Sequence, residues 1–292
     1  MRLFPEPGGA RDSCAPSGLT RVQVTGTPRD MEFEKLLFEV DDGVGYITLN
    51  RPEAANAIDL PLARELAYAA MECDEDPSVR AVLLRASPES KLFCAGGDLR
   101  SFAGAGDRTP ILLKEITMYL HAAISRFARM RAPVVAAVGG AAAGAGFSLV
   151  ASTDLALCSE SASFTMAYTA AGLTPDGSST FFLPRLLGRR RTLELMLLNR
   201  RLTATEALDW GIVNRVVPDA DLAAEAVTMV KSLAAGPTEA YGLLKKLVLP
   251  DENLEGQMEL ESRGIADAAR TRDARTAIAA FLEKKKPTFE GR

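Results

Sequence analysis

Three short stretches of the chain combine small residues with exposed backbone or a carboxylate, which is what a ligand that meets the main chain requires. The first, Phe93-Cys94-Ala95-Gly96-Gly97-Asp98-Leu99, follows a buried apolar run. Small residues there let a ligand approach the backbone, and glycines adopt conformations that aim N–H groups outward. The competing reading is a plain strand-to-helix turn. The second, Gly139-Gly140-Ala141-Ala142-Ala143-Gly144-Ala145-Gly146-Phe147-Ser148, lies between an apolar strand and a helix. Its free N–H groups sit at a positive helix end, where an anion is welcome. Two nucleotide readings fail: no Gly-Lys-Ser/Thr closes the loop, and Leu149 stands where a dinucleotide fingerprint needs its third glycine. The third, Gly172-Leu173-Thr174-Pro175-Asp176-Gly177-Ser178-Ser179-Thr180, holds a carboxylate in a tight turn before an apolar helix. Asp176 there is either an N-cap or a group aimed into a pocket.

The elements that must position these stretches follow from periodicity. FEKLLFEV and VGYITLN read as paired strands joined at Asp42-Gly43, a hairpin turn signal. Leu60 to Cys73 reads as a helix with Pro61 in its first turn, and VRAVLLRAS as a buried strand. Helix 110–130, strand PVVAAV, helix 145–152 and strand 154–158 continue the alternation. Such alternation implies an α/β fold with short, right-handed connections. After Val217 the strands stop, and 219–235, 237–248, 254–270 and 272–286 read as amphipathic helices broken at Gly236-Pro237 and Pro250. Residues 1–30 carry no apolar periodicity and read as a flexible extension, with Met31 as the natural first residue. The expected organisation is therefore an extension (1–30), an α/β core (31–218) and a helical region (219–292).

The 292 residues are 47% hydrophobic and 25% charged, proportions that suffice for a sizeable core. A net charge of −4 gives no basic footprint for nucleic acid. Cys14, Cys73, Cys94 and Cys158 are scattered, with no C-x-x-C pair and only one histidine, so neither a zinc site nor a disulfide framework is expected. No run approaches the roughly 18 apolar residues of a membrane span, and the first residues lack the apolar core of a secretory signal. The expected setting is a reduced, cytoplasmic one, without membrane contact.

FCAGGDL, PVVAAVGGAAAGAGFSL followed by Asp154, GLTPDGSSTFFLPRLLG, ALDWGIVNRVV and AIAAFLEKKKPTF occur in order over about residues 32–292. Together they resemble the crotonase (enoyl-CoA hydratase/isomerase) superfamily. The resemblance implies a spiral of β-β-α turns, a C-terminal helical trimerisation region, acyl-CoA substrates, and a homotrimer or dimer of trimers. Coenzyme A is then part of the substrate, with no separate cofactor and no metal. Residue by residue, the family's oxyanion hole falls on the backbone N–H groups of Gly97 and Ala145. Its coenzyme A contacts fall on Asn56, Ala57, Ala95, Phe281 and Lys284. For Phe281 and Lys284 the competing reading is a solvated basic tail.

The two glutamates of the family's hydratases fall on Ser148 and Tyr168, so two-carboxylate hydration is disfavoured. Ser148, one helical turn beyond Ala145, is expected to face the pocket. Asp176 remains as the acid/base. The L-x-P-[DE]-G motif resembles the branch that shifts double bonds, such as Δ3-Δ2-enoyl-CoA isomerase and ring-1,2-epoxyphenylacetyl-CoA isomerase. A rival is the 4-chlorobenzoyl-CoA dehalogenase branch, whose aspartate nucleophile falls on Asp176 and whose water-activating histidine falls on His121. Tyr168 replaces the tryptophan of that branch, and a lone histidine on a helix also reads as a core or interface residue. A non-catalytic acyl-CoA-binding scaffold is a third reading.

Overall fold

A computed structural model describes residues 32–249, 272, 273, 276, 283, 285 and 288–292. The chain divides into two units, Met1–Met31 and Glu32–Arg292, and every described residue belongs to the second. Phe281, Lys284, the expected helix over 254–270 and most of that over 272–286 lie outside the described residues.

The chain enters the fold as a hairpin, β1 (Leu36–Asp41) and β2 (Val44–Leu49), paired antiparallel from Leu36↔Leu49 to Asp41↔Val44. Asp42 and Gly43 both take positive φ (49° and 77°), the conformation that a two-residue turn matched to strand twist requires. Helix α1 (Leu60–Glu75) then leads to β3 (Ala81–Ala86), α2 (Leu99–Ala105) and α3 (Thr109–Arg129). The next elements are β4 (Val134–Val138), β5 (Ala141–Ala143), α4 (Ala145–Ala151), β6 (Leu155–Ser159) and β7 (Ser163–Thr165). Finally come α5 (Ser179–Leu198), β8 (Leu202–Thr203), α6 (Ala204–Asp209), β9 (Arg215–Val217), α7 (Leu222–Ala234) and α8 (Thr238–Val248). Six strands form one sheet in the order β1-β2-β3-β4-β6-β9, parallel from β2 onward, and β5-β7-β8 form a second, smaller sheet.

Alternation sorts the strand side chains between two apolar layers. Val82 and Leu84 of β3 with Val134, Ala136 and Val138 of β4 join the layer that also contains α1 and α3. Ala81, Leu83, Val135 and Ala137 point the other way, onto Ala226, Val230 and Ala234 of α7. The first of the expected C-terminal helices thus covers the second face of the sheet. The second, α8, is tied down by Lys245, whose ammonium lies 2.7 Å from Asp154 and donates to the carbonyls of Phe127 and Ala132. Among the described residues no helix is long and apolar enough to cross a membrane.

Candidate active site

The Gly97 loop is built by a buried polar network. Ala55 and Asn56 both adopt left-handed φ (52° and 54°), and the Asn56 carboxamide donates to the carbonyls of Leu92 and Phe93 and to Ser90. Arg51 donates to the Ala57 carbonyl and the Asp98 carboxylate, each at 2.8 Å, and lies 3.2 Å from Asp59. Asp59 caps α1 through the Leu62 N–H, and Asp98 caps α2 through the N–H groups of Arg100 and Ser101. One guanidinium therefore ties together two helix starts. Ile58 bridges the loop by donating to the Gly96 carbonyl and accepting from the Asp98 N–H, which turns the Gly97 N–H between them away from the bridge.

Burial alone would raise the Asp98 carboxyl, but the Arg51 hydrogen bond, two backbone N–H groups and the Arg51 charge outweigh it and hold the group below the usual carboxylate range. A depressed folded pKa contributes stability that is present above the unfolded pKa and lost as pH falls through the folded one. Asp98→Asn is therefore expected to destabilise the fold by about 1–2 kcal/mol at neutral pH. The gap between the two proteins, read by urea unfolding, should close as pH drops below about 4. A gap independent of pH would show that the Asp98 charge contributes nothing.

The second loop crosses the first. Cys94 donates its N–H to Ala141 and accepts from the Ala143 N–H, a parallel bridge that aligns the two stretches. Gly96, at φ +94°, lies so close that an added Cβ would stand 2.9 Å from the Ala143 carbonyl oxygen and 3.4 Å from the Ala145 nitrogen. Gly146 is packed on Cys94 more tightly still, with an added Cβ 2.5 Å from its carbonyl oxygen. Ala145 opens α4 and has no partner four residues back, as expected of a first-turn N–H. Among the described residues neither the Gly97 nor the Ala145 N–H donates to a protein group. Burial pushes the neighbouring Cys94 thiol up to about 12, which removes it as a nucleophile at neutral pH.

Both residues line one cavity of about 290 Å³, together with Ala95, Tyr168 and Asp176. Its other walls are mainly apolar: Ile58, Leu99 and Phe102 on one side, and Leu113, Ile116 and Leu120 of α3 on another. Among the described residues that line it, Asp176 is the sole carboxylate. The arrangement can hold an apolar group, accept negative charge at two N–H groups, and exchange a proton with one carboxylate.

Asp176 does not cap α5; the N-cap there is Ser178, in left-handed conformation and without a side-chain cap. What anchors its turn is the main chain. The Asp176 carbonyl receives the hydroxyls of Ser148 at 2.8 Å, Ser179 at 2.9 Å and Tyr168 at 3.3 Å. The carboxylate instead meets His121, with Nε2 2.7 Å from Oδ1.

Ser148 departs from its expected place. It is fully buried behind the wall and does not line the cavity. Its hydroxyl is held by the Gly144 and Asp176 carbonyls and lies 3.2 Å from Tyr168 Oη. The turn at Gly177 closes over it, since a Cβ on Gly177 would stand 2.8 Å from Ser148 Cβ. Tyr168 does face the cavity, and burial pushes its hydroxyl well above the usual phenol range. His121 lines a different cavity and is half exposed. Of the candidate coenzyme A residues, Ala95 lines the cavity, whereas Asn56 and Ala57 do not. The N–H groups of Asn56 and Ala57 donate to Arg51 and Ala54, and the Asn56 carboxamide is also satisfied internally. The network around Arg51 was missed from sequence, although the carboxylates Asp59 and Asp98, each directly before a helix, carry a capping signal.

The model of the enoyl-CoA hydratase/isomerase family matches residues 39–292. The chain belongs to that family. Within it, this chain is 36% identical to the 1,2-epoxyphenylacetyl-CoA isomerase of Escherichia coli K12, over 90% of its own length and 100% of the relative's. It is also 36% identical to 4-chlorobenzoyl coenzyme A dehalogenase-2 of an Arthrobacter species, over 78% and 83% of the two chains. The crystal structure of an enoyl-CoA hydratase/isomerase from Cupriavidus metallidurans CH34 superposes with a TM-score of 0.81 at 33% identity, covering 89% and 98% of the two chains. The α/β crotonase fold is thus common to this enzyme family and the chain, and the family's relatives carry isomerase, hydratase and dehalogenase names.

Proposed function

We propose that this family member is an enoyl-CoA isomerase that moves a double bond along an acyl-CoA thioester, with Asp176 as the acid/base. The observation that carries the reading is that, among the described residues, one carboxylate lines the cavity onto which two unpartnered N–H groups open. In a 3-enoyl thioester, Asp176 takes a proton from C2 and the electron pair moves onto the carbonyl oxygen. The N–H groups of Gly97 and Ala145 hold that enolate oxygen, each typically worth about 3–4 kcal/mol in such sites. The pair then returns to form C2=C3 as C4 takes a proton from Asp176. Hydration needs a group to activate water and a second to deliver a proton. With Ser148 spent on carbonyls and the Tyr168 phenol raised, neither is a base at neutral pH.

Asn56, Ala57, Ala95, Phe281 and Lys284 are the proposed neighbours of coenzyme A. Asn56 and Ala57 would act through the second lone pair of their carbonyl oxygens, because their N–H groups are engaged and the carbonyls already accept from the Cys94 thiol and Arg51. A cytoplasmic homotrimer or dimer of trimers belongs to the same reading.

A second reading draws on the 2.7 Å contact between His121 and Asp176. That pair suits an aspartate nucleophile with a histidine to activate the water that releases it, as the dehalogenase relative suggests. Three substrates separate the readings: a 3-enoyl-CoA, a 2-enoyl-CoA and 4-chlorobenzoyl-CoA, each incubated with the pure protein. Isomerisation of the first, with little hydration of the second, is the expected result. Chloride release from the third would replace the isomerase reading by the dehalogenase one. Binding of all three without turnover would favour an acyl-CoA-binding scaffold.

A further inference from the structure

Helix α3 is a partition. Leu113, Ile116, Thr117 and Leu120 face the cavity that holds Asp176, Gly97 and Ala145. His121 and Ser125 face a second cavity of about 300 Å³, completed by Arg129, Ser178, Phe181 and Phe182. The only side-chain hydrogen bond across this partition that involves Asp176, among the described residues, is the one between His121 Nε2 and its Oδ1 at 2.7 Å. The two side chains are 31% and 52% exposed, respectively, so the imidazole reaches water more readily than the carboxylate does.

We propose that His121 connects Asp176 to solvent through this outer cavity, so that the proton taken from the substrate is exchanged for a solvent proton before it is returned. The proposal rests on Asp176 being the base of the preceding section, and His121 acts through Asp176 without touching the substrate. The contact is not needed to hold the turn, because Ser148, Ser179 and Tyr168 already fasten the Asp176 carbonyl. As a half-exposed pair it also contributes little to stability. What it does supply is proton transfer at hydrogen-bond distance, which a histidine performs near neutral pH.

The step balances without any further reactant. While Asp176 is a carboxylate, Nε2–H donates to it. Once Asp176 carries the substrate proton, the ring shifts its own proton from Nε2 to Nδ1 by way of water in the outer cavity. The freed Nε2 accepts the Asp176 proton, so that the O–H bond breaks, an N–H bond forms, and the carboxylate is restored beside an imidazolium. The half-exposed ring then turns Nε2 from Asp176 to the outer cavity, gives that proton to water there, takes a solvent proton at the same atom and turns back. The reverse transfer returns a solvent proton to Asp176. One substrate proton leaves, one solvent proton enters, and nothing is oxidised or reduced.

The test is turnover of 3-hexenoyl-CoA in D₂O, with deuterium per molecule of product read by mass spectrometry, so that a change in rate does not move the readout. His121→Gln keeps an N–H at the Nε2 position but cannot accept a proton. Wild type is expected to place solvent deuterium in the product, and His121→Gln to place at least about fivefold less. Ser125→Leu, which narrows the outer cavity without touching Asp176, should lower incorporation in the same direction and decides the matter if His121→Gln does not turn over. Equal incorporation by wild type and the variant that turns over, or no deuterium in the wild-type product, overturns the relay. Exchange of the C2 hydrogens of phenylacetyl-CoA, run in parallel, keeps the two readings apart. Wild type that exchanges them through His121 but does not isomerise 3-hexenoyl-CoA overturns the isomerase reading and supports the relay. Wild type that does neither overturns both.

Discussion

Asp176→Asn is expected to lower kcat for double-bond migration by about a thousandfold, the middle of the range for removal of a positioned acid/base. Asparagine keeps the shape of the side chain and can still hydrogen-bond His121, so the turn should survive. Its carbonyl is held by the Ser148, Ser179 and Tyr168 hydroxyls, none of which the substitution touches. Binding of a saturated acyl-CoA should therefore stay close to that of wild type while conjugation, followed by absorbance, all but stops. A variant that retained more than about a tenth of wild-type turnover would remove Asp176 from the proton-transfer role.

The second large effect concerns a main-chain atom, for which almost every side-chain substitution is silent. Proline at 145 is the exception, because it deletes the N–H and leaves the rest of the helix start in place. Ala145 is the first residue of α4, where proline is well tolerated. The preceding Gly144 sits at φ 50°, ψ −122°, the mirror image of the extended conformation that normally precedes proline, and as a glycine it has no Cβ to clash. Ala145→Pro should thus fold, with a melting temperature near that of wild type. Its kcat/KM should fall by about 10²–10³, the usual cost of losing one oxyanion donor. A folded Ala145→Pro protein with normal kcat/KM would show that the thioester oxygen is bound elsewhere.

The parts of this fold carried by local signals were legible. The Asp42-Gly43 turn, the strands around it and the start of α4 at Ala145 follow from residue types and spacing, and they stand at or within a few residues of where the pattern puts them. β5 was not legible. Three alanines in a glycine-rich run carry no strand signal, and Ala141–Ala143 becomes a strand because Ser163–Thr165 and Cys94 pair with it. α2 was hidden likewise: its seven residues include two alanines and a glycine, and only Phe102 is buried.

At the site, helical spacing placed Ser148 on the same side as Ala145, yet the Gly177 turn arrives from 29 positions further along and covers it. No local pattern contains that approach. His121 was likewise ambiguous in isolation, since its meaning depends on a carboxylate 55 residues away in the chain.

The Arg51 network has a consequence for how the molecule fails. Asp59 and Asp98 start two helices; Ile58, just before the first, and Leu99, at the start of the second, line the cavity. Both caps depend on the same guanidinium. Fraying at either helix start therefore weakens the other, and the Gly97 donor lies between Asp98 and the bridge from Ile58. Mild heat or denaturant should extinguish turnover before the sheet melts, so that activity reports the integrity of a small polar hinge and circular dichroism reports the rest.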